Sequence, residues 1–129
     1  VRTRALVVED DNVTRELLRQ ILESEGCEVD VAPDGEKAIG LLANVEYDVV
    51  LLDIVLPRIS GADVMEHLLC TQPRVLEKII VVTGLALTEV RKLFPTVTTV
   101  VGKPVMPSRL SSLIRERTTP RAQRRTSVA

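Results

Sequence analysis

Apolar residues in this chain fall into short blocks that alternate between two periods. Residues 4–9, 28–32, 47–53, 78–83 and 98–102 are runs rich in Val, Leu and Ile, bounded by charged residues, Gly or Pro, and read as β-strands. Between them the apolar spacing lengthens to that of a helix. Val13, Leu17, Leu18, Ile21 and Leu22 predict a first helix, with Asp11 or Asn12 as its N-cap and Gly26 as its stop. Asp34-Gly35 opens a second, with Ala38, Ile39 and Leu42 on its buried face. Ser60 and Asp63 have capping-box spacing ahead of a third helix striped by Val64, Leu68 and Leu69. Thr88 to Phe94 makes a short fourth helix ended by Pro95, and Leu110, Leu113 and Ile114 mark a fifth, entered through Pro107-Ser108.

Strands alternating with helices predict an α/β fold, here a flavodoxin-like, doubly wound, five-stranded parallel sheet of order 2-1-3-4-5 with five helices. The third strand has no polar break, as expected of one covered on both faces. Periodicity stops after Arg117, which divides the chain into a domain over 1–117 and a basic tail over 118–129, disordered or the start of a linker. Within that tail Arg124-Arg125-Thr126-Ser127 has the look of a basic kinase target, but a flexible tail is the simpler reading. The chain opens at Val1 without Met, as a segment excised from a longer protein would.

Composition narrows the picture further. One Tyr and one Phe leave the core to aliphatic side chains. No apolar stretch approaches the roughly 20 residues that span a bilayer, and no signal peptide precedes the first strand, which argues against a membrane protein and makes the cytoplasm the simplest compartment. Cys27 and Cys70 lack metal-ligand spacing and read as reduced, half-buried thiols; His67 reads as an ordinary surface residue. The net charge of −1 conceals a division, with acids concentrated in residues 9–66 and bases beyond them. No Gly-rich phosphate loop occurs, so nucleotide binding has no support.

The chemistry sits where the strands end. Glu9-Asp10-Asp11, Asp53, Thr83-Gly84 and Lys103-Pro104 each follow an apolar run, and parallel sheets bind ligands at the carboxyl ends of their strands. In the order 2-1-3-4-5 the first and third strands are neighbours at the switch point, so Glu9 and Asp10 face Asp53. Two like charges about 4 Å apart repel by roughly 1 kcal/mol in water and about 4 at an effective dielectric of 20. Mg2+ relieves that repulsion with oxygen ligands. Asp53 heads a loop and is the candidate nucleophile for a phosphoryl group; Lys103 and Thr83 supply a cation and a donor for its oxygens. Asp11 is more simply a helix cap.

Taken in order, Val-Val-Glu9-Asp10-Asp11, the run from Asp53 through Pro57 to Gly61, Thr83, and Lys103-Pro104 resemble the receiver domain of two-component response regulators over residues 4–117. The resemblance implies that Asp53 takes its phosphoryl group from a phosphohistidine on a sensor histidine kinase or phosphotransfer protein. It implies direct Mg2+ binding by Asp10 and Asp53, binding through water by Glu9, and a further ligand from the backbone carbonyl of Val55. Lys103 would pair with the phosphoryl oxygens, Thr83 would swing in to donate a hydrogen bond, and the Lys103–Pro104 peptide would be cis. The family's signalling face combines the fourth helix, fifth strand and fifth helix, where Arg91, Lys92, Arg109 and Arg115 are expected. That face would serve a homodimer or an effector domain C-terminal to this segment, with nucleic acid contacted only by such an output domain.

Two positions depart from the family pattern. Val100 stands where an aromatic switch residue is usual, and Gly84 replaces the usual Ala after the threonine. Val55 and Leu85 flank the expected phosphoryl site with apolar side chains, which predicts hindered attack by water and a long-lived phosphorylated state. The domain reads as a signalling module, not a turnover enzyme. Two other functions compete with that reading. A haloacid-dehalogenase-like phosphatase shares the Asp, Thr, Lys and Mg2+ set but carries Asp two residues after its nucleophile, where this chain has Val55. A non-phosphorylated binding scaffold would need none of these residues.

Overall fold

In a computed structural model, residues 3–95 and 99–118 are described. Five strands, β1 (Arg4–Val8), β2 (Glu28–Ala32), β3 (Val49–Leu52), β4 (Ile79–Thr83) and β5 (Val100–Gly102), alternate with α1 (Asn12–Ser24), α2 (Gly35–Asn44), α3 (Gly61–Thr71), α4 (Leu87–Leu93) and α5 (Pro107–Thr118). The strands form one five-stranded sheet in the order β2-β1-β3-β4-β5, all pairs parallel. This is the doubly wound arrangement expected from the alternation of periods.

Period-two alternation sorts the strand residues onto two faces. Leu6, Val8, Val50, Leu52, Ile79 and Val81 point to one side and pack with Ala38 and Leu42 of α2, Val64 and Leu68 of α3, and Val90 of α4. Ala5, Val7, Val49, Leu51, Ile80, Val82 and Val101 point to the other, against Leu18, Ile21 and Leu22 of α1 and Leu110 and Ile114 of α5. The unbroken apolar run of β3 is thus explained by cover on both faces.

Local signals set the helix ends. Asp11, not Asn12, caps α1 by accepting from Thr14 N; Asp34 caps α2 through Lys37 N; Ser60 and Asp63 form a reciprocal capping box on α3. Gly26 follows α1 with φ +84°, a left-handed turn that a side chain would strain.

Several expectations need correction. A 3₁₀ helix over Pro73–Lys78 precedes β4 and takes Lys78 out of that strand. Pro at its first position fixes φ and removes a donor that such an end leaves unpaired anyway. β3 begins at Val49; Tyr47 before it is buried and donates its hydroxyl to Asp30 at 2.7 Å. Val13 is 79% exposed and Leu69 is 55% exposed, so neither joins the core. Val13 lies about 140° around α1 from Leu18, and Leu69 about 100° beyond Leu68, where Met65 already fills the inner row. Cys27 is buried, but Cys70 is exposed because it projects about 200° away from Leu68. Arg115 binds Glu25, just past α1, at 2.7 and 3.1 Å, which ties this part of α5 to the end of α1. The expected strand residue Thr98 and all but Thr118 of the expected tail lie outside the described residues. Among the described residues, no helix is long and apolar enough to cross a membrane.

Candidate functional site

Register brings the strand ends level. Val8 pairs with both Ala32 and Leu52, so Glu9 and Asp53 leave adjacent strands side by side. The ladder continues one step further, with Glu9 N donating to the Ala32 carbonyl at 3.1 Å and Asp53 N to the Val8 carbonyl at 3.0 Å. On the far side Thr83 pairs with Gly102, and Lys103 N donates to the Thr83 carbonyl at 2.8 Å. These backbone bonds fix where each side chain starts, before any side-chain contact is made.

Alternation then decides which side chains meet. Glu9, Asp53 and Lys103 continue the rows of Val7, Leu51 and Val101, on the α1/α5 side of the sheet. Lys103 Nζ lies 2.9 Å from Asp53 Oδ2 and 2.5 Å from Glu9 Oε1. One carboxylate oxygen from each of Glu9, Asp10 and Asp53 can be chosen so that all lie within 4.8 Å of one another. Glu9 and Asp53 are buried and Asp10 is exposed, so the cluster opens to solvent over Asp10. Asp53 Oδ1 accepts from Val55 N at 3.1 Å, which turns the loop sharply after β3.

Thr83 stands apart from this ionic group. It continues the row of Ile79 and Val81, on the α3/α4 side, and its hydroxyl accepts from Leu85 N at 3.2 Å while fully buried. Asp11 is likewise outside the cluster. It caps α1 through Thr14 N at 2.8 Å and Thr14 Oγ1 at 2.7 Å, and these bonds hold its carboxyl below the usual range.

Burial dominates the electrostatics of Glu9. Its carboxyl is pushed up to about 7, mostly by desolvation and further by the Asp53 charge, against the pull of the Lys103 hydrogen bond. Burial works against the Lys103 charge too, yet its hydrogen bonds to Glu9 and Asp53 outweigh it and raise the ammonium above its ordinary value. Three acids around one lysine leave the cluster net negative. Three carboxylates whose oxygens lie within 4.8 Å of one another form an all-oxygen donor set, which suits Mg2+.

Two features of the surroundings are specific. A Cβ on Gly61 would meet the Asp53 carbonyl oxygen at 2.3 Å and Ile54 Cα at 2.6 Å, so only glycine lets α3 start this close to the site loop. The Lys103–Pro104 peptide is cis. Arg15, which sequence reasoning passed over, reaches back from the first turn of α1 to the carbonyl oxygens of Glu9 at 3.0 Å and Asp10 at 3.3 Å. The available signal was a cation in the first turn of a helix, where the macrodipole disfavours it.

A 2-1-3-4-5 sheet with a lysine-bridged acidic cluster at its switch point defines a flavodoxin-like α/β module, and the cluster lies where such a fold places a ligand site. The chain belongs to the response regulator receiver domain family, which matches it over residues 5–115. A 68-residue stretch is 44% identical to response regulator MprA of Mycobacterium sp. strain KMS, covering 53% of this chain and 30% of that protein. The chain therefore spans only part of the length of such relatives. Among solved structures, a receiver domain protein from Methanospirillum hungatei aligns with a TM-score of 0.80 and 31% identity, over 91% of this chain and 94% of that one. The receiver domain of sensor histidine kinase PA1611 from Pseudomonas aeruginosa, with magnesium in its active-site cleft, shares the fold at TM-score 0.79 and 24% identity, over 90% of this chain and 97% of that one.

Proposed function

We propose that this domain is a phosphoacceptor and that Asp53 carries the phosphoryl group. The observation supporting this most directly is the convergence of three carboxylates and Lys103 on one small volume, with Lys103 Nζ 2.9 Å from Asp53. An Asp53 carboxylate oxygen attacks the phosphorus of a phosphohistidine, the N–P bond breaks, and the imidazole leaves with its electron pair and takes up a proton. Asp10, Asp53 and the Val55 carbonyl would hold Mg2+, with Glu9 contributing through water. The ion supplies positive charge to the transferring phosphoryl oxygens. Lys103 is already on Asp53 and needs only to follow the new oxygens. Thr83 must exchange its bond to Leu85 N for one to the phosphoryl group, which couples modification to the loop before α4.

The donor is a sensor histidine kinase or a phosphotransfer protein, and the output is a change on the α4-β5-α5 face. That face would serve a second copy or an effector domain following residues 1–117 in the full protein, with residues 118–129 as the linker's beginning. No turnover activity is assigned. Val55 lies where the competing phosphatase reading requires a general acid, and a Val side chain has no proton to give.

Acetyl phosphate with Mg2+ tests the reading. The chain should gain the mass of one phosphoryl group, and Asp53→Asn should abolish the gain. Undiminished uptake by Asp53→Asn, or turnover of a generic phosphomonoester, would overturn it.

A further inference from the structure

The hydrogen bonds of Arg15 are unexpected for their position. Arg15 is the fourth residue of α1, in the turn whose free N–H groups make it the positive end of the helix dipole, and a cation there is disfavoured. It also finds no carboxylate: among the described residues its guanidinium binds the Glu9 carbonyl at 3.0 Å, the Asp10 carbonyl at 3.3 Å and the side-chain oxygen of Asn12. A helical side chain leans toward the N-terminus of its own helix, which lays this fork over the β1–α1 turn. Nη1 donates to both consecutive carbonyls of the peptide that carries the two neighbouring acids while Nη2 donates to Asn12, so both arms of the planar fork are anchored on this turn.

We infer that Arg15 is a positioning residue for the acidic site: it fixes the Glu9–Asp10 backbone, and so the directions from which those carboxylates meet Asp53. The inference rests on the proposed Mg2+ role of that cluster. It also carries a distinctive sign. If Arg15 acted only through its charge, removing it would make the cluster more negative and tighten Mg2+ binding. If it acts by holding the turn, losing the fork weakens Mg2+ binding whether or not the charge remains.

Arg15→Lys keeps the charge and loses the fork; Arg15→Met loses both. Calorimetric titration of the full chain with Mg2+ alone should show about tenfold weaker binding for both variants, the lower end of what lost support around a metal ligand produces. Phosphorylation by acetyl phosphate should recover toward the unsubstituted rate at saturating Mg2+. In metal-free protein, amide hydrogen exchange across residues 9–12 should accelerate in both variants while the β3 amides stay protected. If Arg15→Met does not fold, Asn12→Ala, which removes one anchor of the fork, should shift binding and exchange in the same direction by less. Unchanged Mg2+ affinity in Arg15→Lys, or tighter binding in Arg15→Met, would overturn the inference. If the unsubstituted chain binds no Mg2+ while Arg15→Lys still loosens the turn, the phosphoacceptor reading fails and the backbone clamp stands.

Discussion

Lys103 pairs with Glu9 and Asp53 and not with Asp10, so in the metal-free domain one cation only partly offsets the mutual repulsion of three acids. Asp10 is the exposed member, and among the described residues its carboxylate makes no hydrogen bond that a substitution would break, which isolates the charge effect. Asp10→Asn should therefore stabilise the metal-free domain by up to about 1 kcal/mol, the water-limit repulsion of two charges about 4 Å apart. Millimolar Mg2+ should cancel or reverse the difference in thermal melts; a variant that melts lower without metal would contradict the repulsion. Val55 presents the opposite case, an apolar side chain 61% exposed two residues after Asp53, the proposed acceptor. Replacing it with Asn offers attacking water a hydrogen-bond partner. Val55→Asn should speed loss of the phosphoryl group by up to about tenfold, equivalent to roughly 1.4 kcal/mol of barrier. Phosphate release after removal of acetyl phosphate measures it, and an unchanged half-life would show that Val55 shields nothing.

At the scale of elements, the site depends on how closely loops approach helices. Gly61→Ala places a methyl carbon against the backbone of residues 53 and 54, where no flexible side chain can yield. Overpacking of this kind typically costs about 1–3 kcal/mol, and here the strain falls on the loop that follows Asp53. Chemical denaturation should show that loss together with weaker Mg2+ binding; loss of stability alone would mean the loop relaxes away from the site. The Glu25–Arg115 pair joins the end of α1 to α5, and its hydrogen bonds hold the Glu25 carboxyl below its ordinary 4.5. A depressed carboxyl stabilises the fold at pH values above 4.5 and loses that contribution as pH falls through the folded value. Glu25→Gln should thus melt below the unsubstituted chain at pH 7, and the gap should narrow as pH falls below 4.5. The strands, the capping box and the order of the sheet were legible in the sequence because each rests on local spacing or turn chemistry. The 3₁₀ helix at Pro73–Lys78 was not, since its short polar pattern has no period of its own. Apolar residues also overstate a buried face: Val13 and Leu69 fit the helical count but point past the sheet. In the site, motif order located Glu9, Asp10, Asp53 and Lys103, while the separate position of Thr83 follows from alternation within β4.

For the whole molecule, the proposed function raises the question whether one phosphoryl group is enough to move the α4-β5-α5 face. Shifting a two-state equilibrium from 1:99 to 99:1 takes about 5.5 kcal/mol of differential binding. Under the proposed function the new contacts would be Lys103 and Thr83 bonds to the phosphoryl oxygens, at roughly 1.5–3 kcal/mol each. Thr83 must also give up its bond to Leu85 N, so the total reaches the requirement only at its upper limit. α4 is the element easiest to move: it is seven residues long, has no side-chain cap at its N-terminus and buries only Val90. Its surface carries Leu87 and Leu93, both exposed, beside Arg91 and Lys92. Apolar side chains interspersed with charge suit a contact made in one state and dissolved in the other. A stable pair of copies would need about 800 Å² from each, more than α4 alone offers, so α5 around Arg109 must contribute. We therefore expect the activated domain to associate, with the energy of association completing a switch that phosphorylation leaves partial. Light scattering with Mg2+ and beryllofluoride should give a mass that rises toward two chains with concentration, while the unmodified domain remains at one. Leu93→Arg should abolish that rise without reducing phosphate uptake. A mass of one chain at every concentration, with the full spectral change on activation, would show instead that Thr83 and Lys103 complete the switch within a single copy.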